Sequence, residues 1–154
     1  MSRTKYNVDK NTNSRTCNGI TFDSVVEKRY YEEIILPAFN SKEITHYELQ
    51  KTYELQPKFK HDGKTVRAIN YVADFFVLYK DGTSEVIDIK GCPDSVSKMK
   101  RKMFWYKYPD IKYSWICWSK IDGGWCDYDF VKKQRAMRKR EKRIRNKRRK
   151  RIYD

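Results

Sequence analysis

Three acids and one lysine carry the chemistry legible in this chain. Asp74 lies in Tyr71-Val72-Ala73-Asp74-Phe75, and Asp88 and Lys90 lie in Val86-Ile87-Asp88-Ile89-Lys90-Gly91. Each stretch reads as a strand that is apolar except for its carboxylate, and nothing in strand packing calls for an acid there. Two carboxylates and an amine gathered by neighbouring strands are what metal-dependent cleavage of a phosphodiester requires. The acids hold a hard cation, and the amine orients water and steadies charge on the phosphate. Two carboxylates about 4 Å apart repel by about 4 kcal/mol at an effective dielectric of about 20. That is a large share of ordinary fold stability. Lys90 offsets part of it, and a divalent cation would reverse its sign.

These groups need elements to position them. Side chains alternate along a strand, so Val72, Asp74, Phe76 and Leu78 share one face. Val86, Asp88 and Lys90 share a face of the next strand, with Ile87 and Ile89 on the other. The first strand spans about 66–79 and the second about 84–90. Lys80-Asp81-Gly82-Thr83 joins them as a tight hairpin whose two central residues are expected at positive φ. The third acid, Glu27, sits on a helix over about 24–36, started by the capping box Ser24-x-x-Glu27 and stopped by Pro37. On that helix Glu27 shares a stripe with Tyr30, Tyr31 and Ile34, expected to face the sheet. An inward carboxylate needs a partner. Capping explains Ser24 better than a nucleophilic role does.

The remaining elements follow from periodicity and turn chemistry. Residues 44–60 read as strand in two pieces, and His61-Asp62-Gly63-Lys64 as a turn. Asp94 or Ser95 caps a helix to about Tyr108, and 111–118 is a further strand. Asp122-Gly123-Gly124 is a turn, and helix formers dominate from about Asp129. The order predicts an α/β domain with a mixed central sheet flanked by helices.

The set Glu27, Asp74 and Asp88-x-Lys90, in that order on those elements, resembles the signature of the PD-(D/E)xK phosphodiesterase superfamily. The resemblance runs from about Gly19 to Trp118. Gly19-Ile20-Thr21-Phe22-Asp23-Ser24, Leu55-Gln56-Pro57-Lys58-Phe59 and Asp88-Ile89-Lys90-Gly91 are similar to segments of small phage-encoded nuclease-like proteins. Junction resolvases and the endonuclease subunit of some transposases share the acid and lysine pattern. Ala73 stands where the motif's name has proline, and Asp88 where glutamate is commoner. The resemblance implies a restriction-endonuclease-like core and a Mg²⁺-dependent DNA endonuclease, with Mn²⁺ as a substitute. It implies that Asp74, Asp88 and the Ile89 carbonyl bind metal, that Glu27 serves a second ion or its water, and that Lys90 serves the attacking water. Duplex or branched DNA is the implied substrate, a symmetric homodimer the implied assembly, and a further protein partner fits the transposase-like branch.

Charge extends this reading. The 154 residues carry a net +15. Residues 131–154 hold 14 Lys and Arg against Glu141 and Asp154, a net +12 that leaves +3 for residues 1–130. Such a field favours polyanions, DNA first and RNA as the alternative. Lipid fits poorly, because the tail lacks a large apolar face. Lys132, Lys133, Arg135, Arg138, Lys139 and Arg140 are candidate phosphate contacts, as are Lys98, Lys100, Arg101 and Lys102 on the helix after the DxK strand. The expected organisation is a flexible arm over 1–18, the nuclease-like domain over 19–130 and a basic tail over 131–154, helical or disordered. A non-catalytic nucleic-acid-binding or packaging protein working through the tail is the alternative.

Cys17, Cys92, Cys117 and Cys126 lack CxxC spacing and read as small hydrophobes rather than a zinc site. His46 and His61 read as surface residues. With no apolar leader and no run of membrane-spanning length, the expectation is a reduced protein of a bacterial host's cytoplasm. Most of the late aromatics, Trp105 to Trp125, are expected in core or interface.

Overall fold

The computed structural model describes residues 12–153, with side chains to Arg149. Most of the arm expected over 1–18 thus lies outside the described residues. The rest of it is not loose: Thr12–Arg15 forms a 3-10 turn and β1 (Thr16–Cys17) pairs with β2 (Ile20–Thr21). Asn18 and Gly19 both take positive φ, 50° and 76°, as a two-residue hairpin loop demands. Arg15 closes this hairpin onto the body by donating to the Phe22 carbonyl at 2.6 Å.

Helix α1 (Val25–Tyr30) begins at Ser24, whose hydroxyl accepts from the Glu27 amide at 3.1 Å. The expected capping start is therefore present. The expected stop is not. A π turn over Tyr31–Ile35 follows, and then α2 (Leu36–Asn40) with Pro37 in its first turn. The Leu36 amide bonds to the Tyr31 carbonyl five residues back. Proline has no amide to lose at a helix start, so the chain passes through it. The wider turn also shifts the buried stripe by one residue: Glu27, Tyr30, Tyr31 and Ile35 are buried, while Ile34 is exposed.

Five strands form the central sheet in the order β3-β6-β7-β8-β9. They are β3 (Ile44–Gln56), β6 (Ile69–Tyr79), β7 (Ser84–Ile89), β8 (Lys112–Ser119) and β9 (Gly124–Asp127). Between β3 and β6, the small hairpin of β4 (Phe59–His61) and β5 (Lys64–Val66) turns through Asp62 and Gly63, both at positive φ. Neighbours in the sheet are antiparallel except β7 and β8. That parallel pair is bridged by α3 (Ser95–Lys107), because a parallel return needs a long crossover. The architecture is the mixed α/β one expected, with β9 an addition.

One core joins Phe22, Tyr30, Tyr31 and Ile35 to Ile44, Phe75, Val77 and Ile87. The other joins Phe104 of α3 to Tyr53, Leu55, Tyr71, Ala73, Val86, Tyr113 and Trp115. Strict alternation would put Tyr71, Ala73, Phe75 and Val77 on one face, yet they divide between the two cores. The change falls at Asp74. Opposite it, between the pairs Leu49↔Phe75 and Lys51↔Ala73, Gln50 takes a φ of 52°. A non-glycine residue in that region costs of order 1 kcal/mol or more and marks a site held by its surroundings.

Helix α4 (Tyr128–Tyr153) begins three residues before the expected tail. Val131 is fully buried, and the Tyr128 ring packs edge-on against Trp115 at 5.9 Å. No described helix is long and apolar enough to cross a membrane.

Candidate active site

The β6–β7 ladder runs from Leu78↔Ser84 to Phe75↔Ile87. One step further in the same register, Asp74 stands across from Asp88. There the ladder gives way: the Ile89 amide donates to Asp74 Oδ2 at 2.7 Å instead of to a β6 carbonyl. The next amide, Lys90, donates to the Ile116 carbonyl of β8 at 2.8 Å. Strand β7 thus stays with β8 and parts from β6. Beside this point lies a cleft of about 310 Å³ between these strands and the start of α3; its lining includes Asn70, Tyr71, Asp88, Lys90, Lys100 and Tyr113, but neither Asp74 nor Glu27.

Asp88 is 1% exposed. Its Oδ2 lies 2.5 Å from Lys90 Nζ and accepts from the Tyr113 hydroxyl at 3.3 Å. Trp115 Nε1 donates to the same tyrosine oxygen at 2.8 Å, which directs the phenolic proton toward Asp88. This is no ion pair on a solvated face. Asp74 keeps part of its surface open, but its carboxyl is densely surrounded. Burial first, then the charges of Asp88 and Glu27, push its pKa well above the carboxylate range, and the Ile89 amide only partly opposes them.

Glu27 divides its carboxylate. Oε1 accepts from the Ser24 hydroxyl at 2.8 Å, while Oε2 is buried with no hydrogen-bond partner among the described residues. Burial raises its pKa; hydrogen bonds from the Ser24 hydroxyl and the Asp23 backbone lower it, and the charges of Asp23 and Asp88 add upward pressure. The other deeply buried glutamate shows the contrast. Glu85 accepts from Tyr79 Oη at 2.8 Å, from the Ser114 hydroxyl and from Lys112 Nζ at 3.0 Å, so the fold satisfies it fully.

The four residues expected to form the site therefore converge, but less tightly than the sequence reading had it. Asp74, Asp88 and Lys90 are adjacent, and Glu27 is near enough to act on both acids electrostatically. Among the described residues no three of His, Cys, Asp or Glu stand together as metal ligands. A shared three-acid cage is thus not formed; the cap holds half of Glu27. The oxygen donors that stand side by side are the carboxylates of Asp74 and Asp88. Hard oxygen donors of this number suit Mg²⁺, which takes one or two carboxylates and keeps several waters.

Sequence reasoning missed Tyr71 and Tyr113. Tyr71 Oη is buried without a hydrogen-bond partner among the described residues and lines the cleft. The available signal was position: Tyr113 lies on the strand that the crossover lays beside Asp88, and Tyr71 sits three residues before Asp74.

The basic candidates separate. Lys100 lines the cleft with Nζ 2.6 Å from the Asn70 carbonyl. Lys98 and Lys102 are exposed. Arg101 is a strut: it bonds Asp129 at 2.7 Å and lies 4.2 Å from the Trp115 ring and 4.6 Å from that of Trp105. Arg138 is likewise engaged, through two bonds to Asp122 at 2.6 and 3.0 Å. Lys132, Lys133, Arg135, Lys139 and Arg140 are exposed. The four cysteines are free, and His46 and His61 are at the surface beside Glu48 and Asp62.

A family model described as "Protein of unknown function (DUF1064)" matches residues 3–122. The chain belongs to the DUF1064 family. The DUF1064 segment contains Glu27, Asp74, Asp88, Lys90 and the parallel β7–β8 pair, and it ends in the turn before β9. It also starts well before the β1–β2 hairpin, consistent with that hairpin being part of the body. A search of curated proteins gives no match.

Proposed function

We propose that this protein is a metal-dependent DNA endonuclease with a restriction-endonuclease-like core of the PD-(D/E)xK type. The observation that carries the proposal is the break in the β6–β7 ladder, where Asp74 faces Asp88, Lys90 touches Asp88 and a cleft opens beside them. A buried pair of like charges is costly to keep unless a cation or proton compensates it. Asp74, Asp88 and the Ile89 carbonyl would hold Mg²⁺ or Mn²⁺. Such an ion polarises a phosphoryl oxygen and supplies hydroxide near neutral pH. Tyr113 and Trp115 fix Asp88. Lys90, once released from Asp88 by a competing charge, can hold the attacking water or the phosphate oxygen. Glu27 Oε2 can accept a proton from a water at the edge of the site, and Lys100 can bind a flanking phosphate. The reaction is a direct in-line displacement with no covalent enzyme intermediate.

Branched DNA such as a four-way junction is the preferred substrate in this reading, since no element of the body among the described residues is built to read base edges. The test is cleavage of plasmid and junction DNA with Mg²⁺ or Mn²⁺ by the wild type, Asp88→Ala and Lys90→Ala. Metal-dependent cutting by the wild type, reduced about 100-fold or more in both variants, is expected. Binding without cutting in all three would instead favour a non-catalytic nucleic-acid-binding protein or a nuclease that needs a protein partner.

A further inference from the structure

Beyond its root, α4 is built unlike a surface helix. Its first turns are held by buried Val131, by the Tyr128–Trp115 ring contact and by the Arg138–Asp122 clasp. From 139 to 149 every residue is exposed, and all but Glu141, Ile144 and Asn146 are Lys or Arg. At about 100° per residue, these cations leave no gap around the axis wider than about 80°. Neighbours four apart, such as Lys139 and Arg143 or Arg145 and Arg149, repel along the helix.

A cation distribution that surrounds the axis needs anions on more than one side. A membrane or a single strand offers one charged front and leaves the far cations unmatched. A second copy of the helix is repelled. The major groove of B-form DNA presents phosphates on both walls and is about 12 Å wide, which matches a helix about 10–12 Å across. The A-form groove of duplex RNA is too deep and narrow to admit one.

We propose that α4 is a preformed arm that enters the major groove of B-form duplex DNA, so that the protein selects duplex DNA over single strands and over duplex RNA. This deepens the DNA part of the proposed function, and it can fail while cleavage succeeds, or the reverse. Because the exposed segment is rooted beside Trp115, the arm would bring duplex up to the same side of the sheet as the cleft.

The test uses the full chain in chelator, so that no cutting intervenes. Anisotropy titrations compare a duplex DNA of about 20 base pairs, its single strands, the duplex RNA of the same sequence and anionic vesicles, at matched salt. Duplex DNA is expected to bind about tenfold or more tighter than the others, because only it fits a helix in a groove. Guanine N7, which faces the major groove, should become protected from methylation by dimethyl sulfate. Three paired variants remove charge from different sides: Lys142→Gln with Arg149→Gln, Arg143→Gln with Lys147→Gln, and Arg145→Gln with Arg148→Gln. Each pair should weaken binding to a similar degree and reduce the log–log salt slope by about 2. Circular dichroism of the variants checks that helix content is kept. Equal affinity for duplex RNA, single strands or vesicles overturns the proposal. So does unprotected N7, or a loss of affinity confined to one pair, which would describe a helix lying flat on the polyanion.

Discussion

Asp74 has two jobs that conflict. Oδ2 completes the sheet by taking the Ile89 amide, while the rest of the carboxylate is pressed toward Asp88 and Glu27. Asn can keep the first job and drop the second, since its side-chain oxygen still accepts a hydrogen bond. In metal-free protein Asp74→Asn should therefore raise Tm, by about 3 °C for each kcal/mol of repulsion relieved. The same variant should lose DNA cleavage, and Mg²⁺ should raise Tm of the wild type only. A variant less stable than wild type in chelator would mean that the acids are not in conflict. Tyr113→Phe probes the other acid. It removes the donor to Asp88 and leaves Trp115 Nε1 without its acceptor. Apparent Mg²⁺ affinity, read from the metal dependence of cutting and from thermal shift, should fall about tenfold or more, the usual cost of losing an outer-shell partner. At this scale Asp74, Asp88 and Lys90 were legible because a charged residue in an apolar strand has few packing explanations. Glu27 was only half legible, since the same spacing that marks an N-cap also fits an acid aimed at the sheet. In the fold it is divided between the two. The tyrosines were illegible because aromatic residues in strands are ordinary, and only the register gives them a neighbour.

Elements were read best where a cap or turn residue has one geometric use. Ser24 and Asp94 begin their helices as expected, and Asp62-Gly63 makes a two-residue turn with both φ positive. The misses share a cause, which is an irregularity that periodicity cannot register. The π turn after Tyr30 adds a residue to the repeat, exposes Ile34 and buries Ile35. In the Asp81-Gly82 turn only Gly82 has positive φ, because Asp81 instead accepts from the Thr83 amide at 2.9 Å. Strand β9 is four residues, too short for alternation to be seen. The turn before it supplies Asp122, which anchors α4. Arg138 and then Ser119 hold the Asp122 carboxyl down to a pKa of about 2. A depressed acid pKa stabilises the fold above the unfolded value of about 4 and loses that contribution as pH falls through the folded one. The clasp should accordingly persist at pH 5 and open only between about pH 4 and pH 2. Hydrogen exchange across 131–140 should stay slow to pH 4 in the wild type, after correction for intrinsic rates, and be faster in Asp122→Asn at pH 4 and above, the two converging near pH 2. Arg138→Gln should reproduce that loss. Exchange unaffected by either substitution would leave Val131 and Tyr128 as sufficient anchors.

Viewed whole, the chain joins a small sheet domain of modest charge to a helix that carries most of its net charge. The mixed α/β plan was legible because alternating strand and helix signals, with one long crossover, admit few arrangements. The charge asymmetry between body and helix was legible from composition alone, but its boundary was not. The helix starts inside the body, and Arg138 is spent on the clasp with Asp122. That boundary sets the last prediction. A chain ending at Arg138 keeps Val131, Tyr128 and the Asp122 clasp, so the body should fold with nearly its full thermal stability. It loses the cations beyond Arg138, keeps the exposed Lys132, Lys133 and Arg135, and loses none of the cleft. If α4 supplies affinity and the cleft supplies chemistry, KM for DNA should rise steeply while kcat at saturating DNA stays within a few-fold of the full chain. Salt separates the two contributions. A helix neutralising about six phosphates gives a log–log slope near −5, which is about a thousandfold in affinity between 50 and 200 mM salt. In the shortened chain that slope should shrink toward the small value of a body with few phosphate contacts. An unchanged KM and slope would move the DNA-binding surface onto the body, to Lys98, Lys100 and Lys102. A lost kcat with normal folding would mean that the helix acts at the cleft itself.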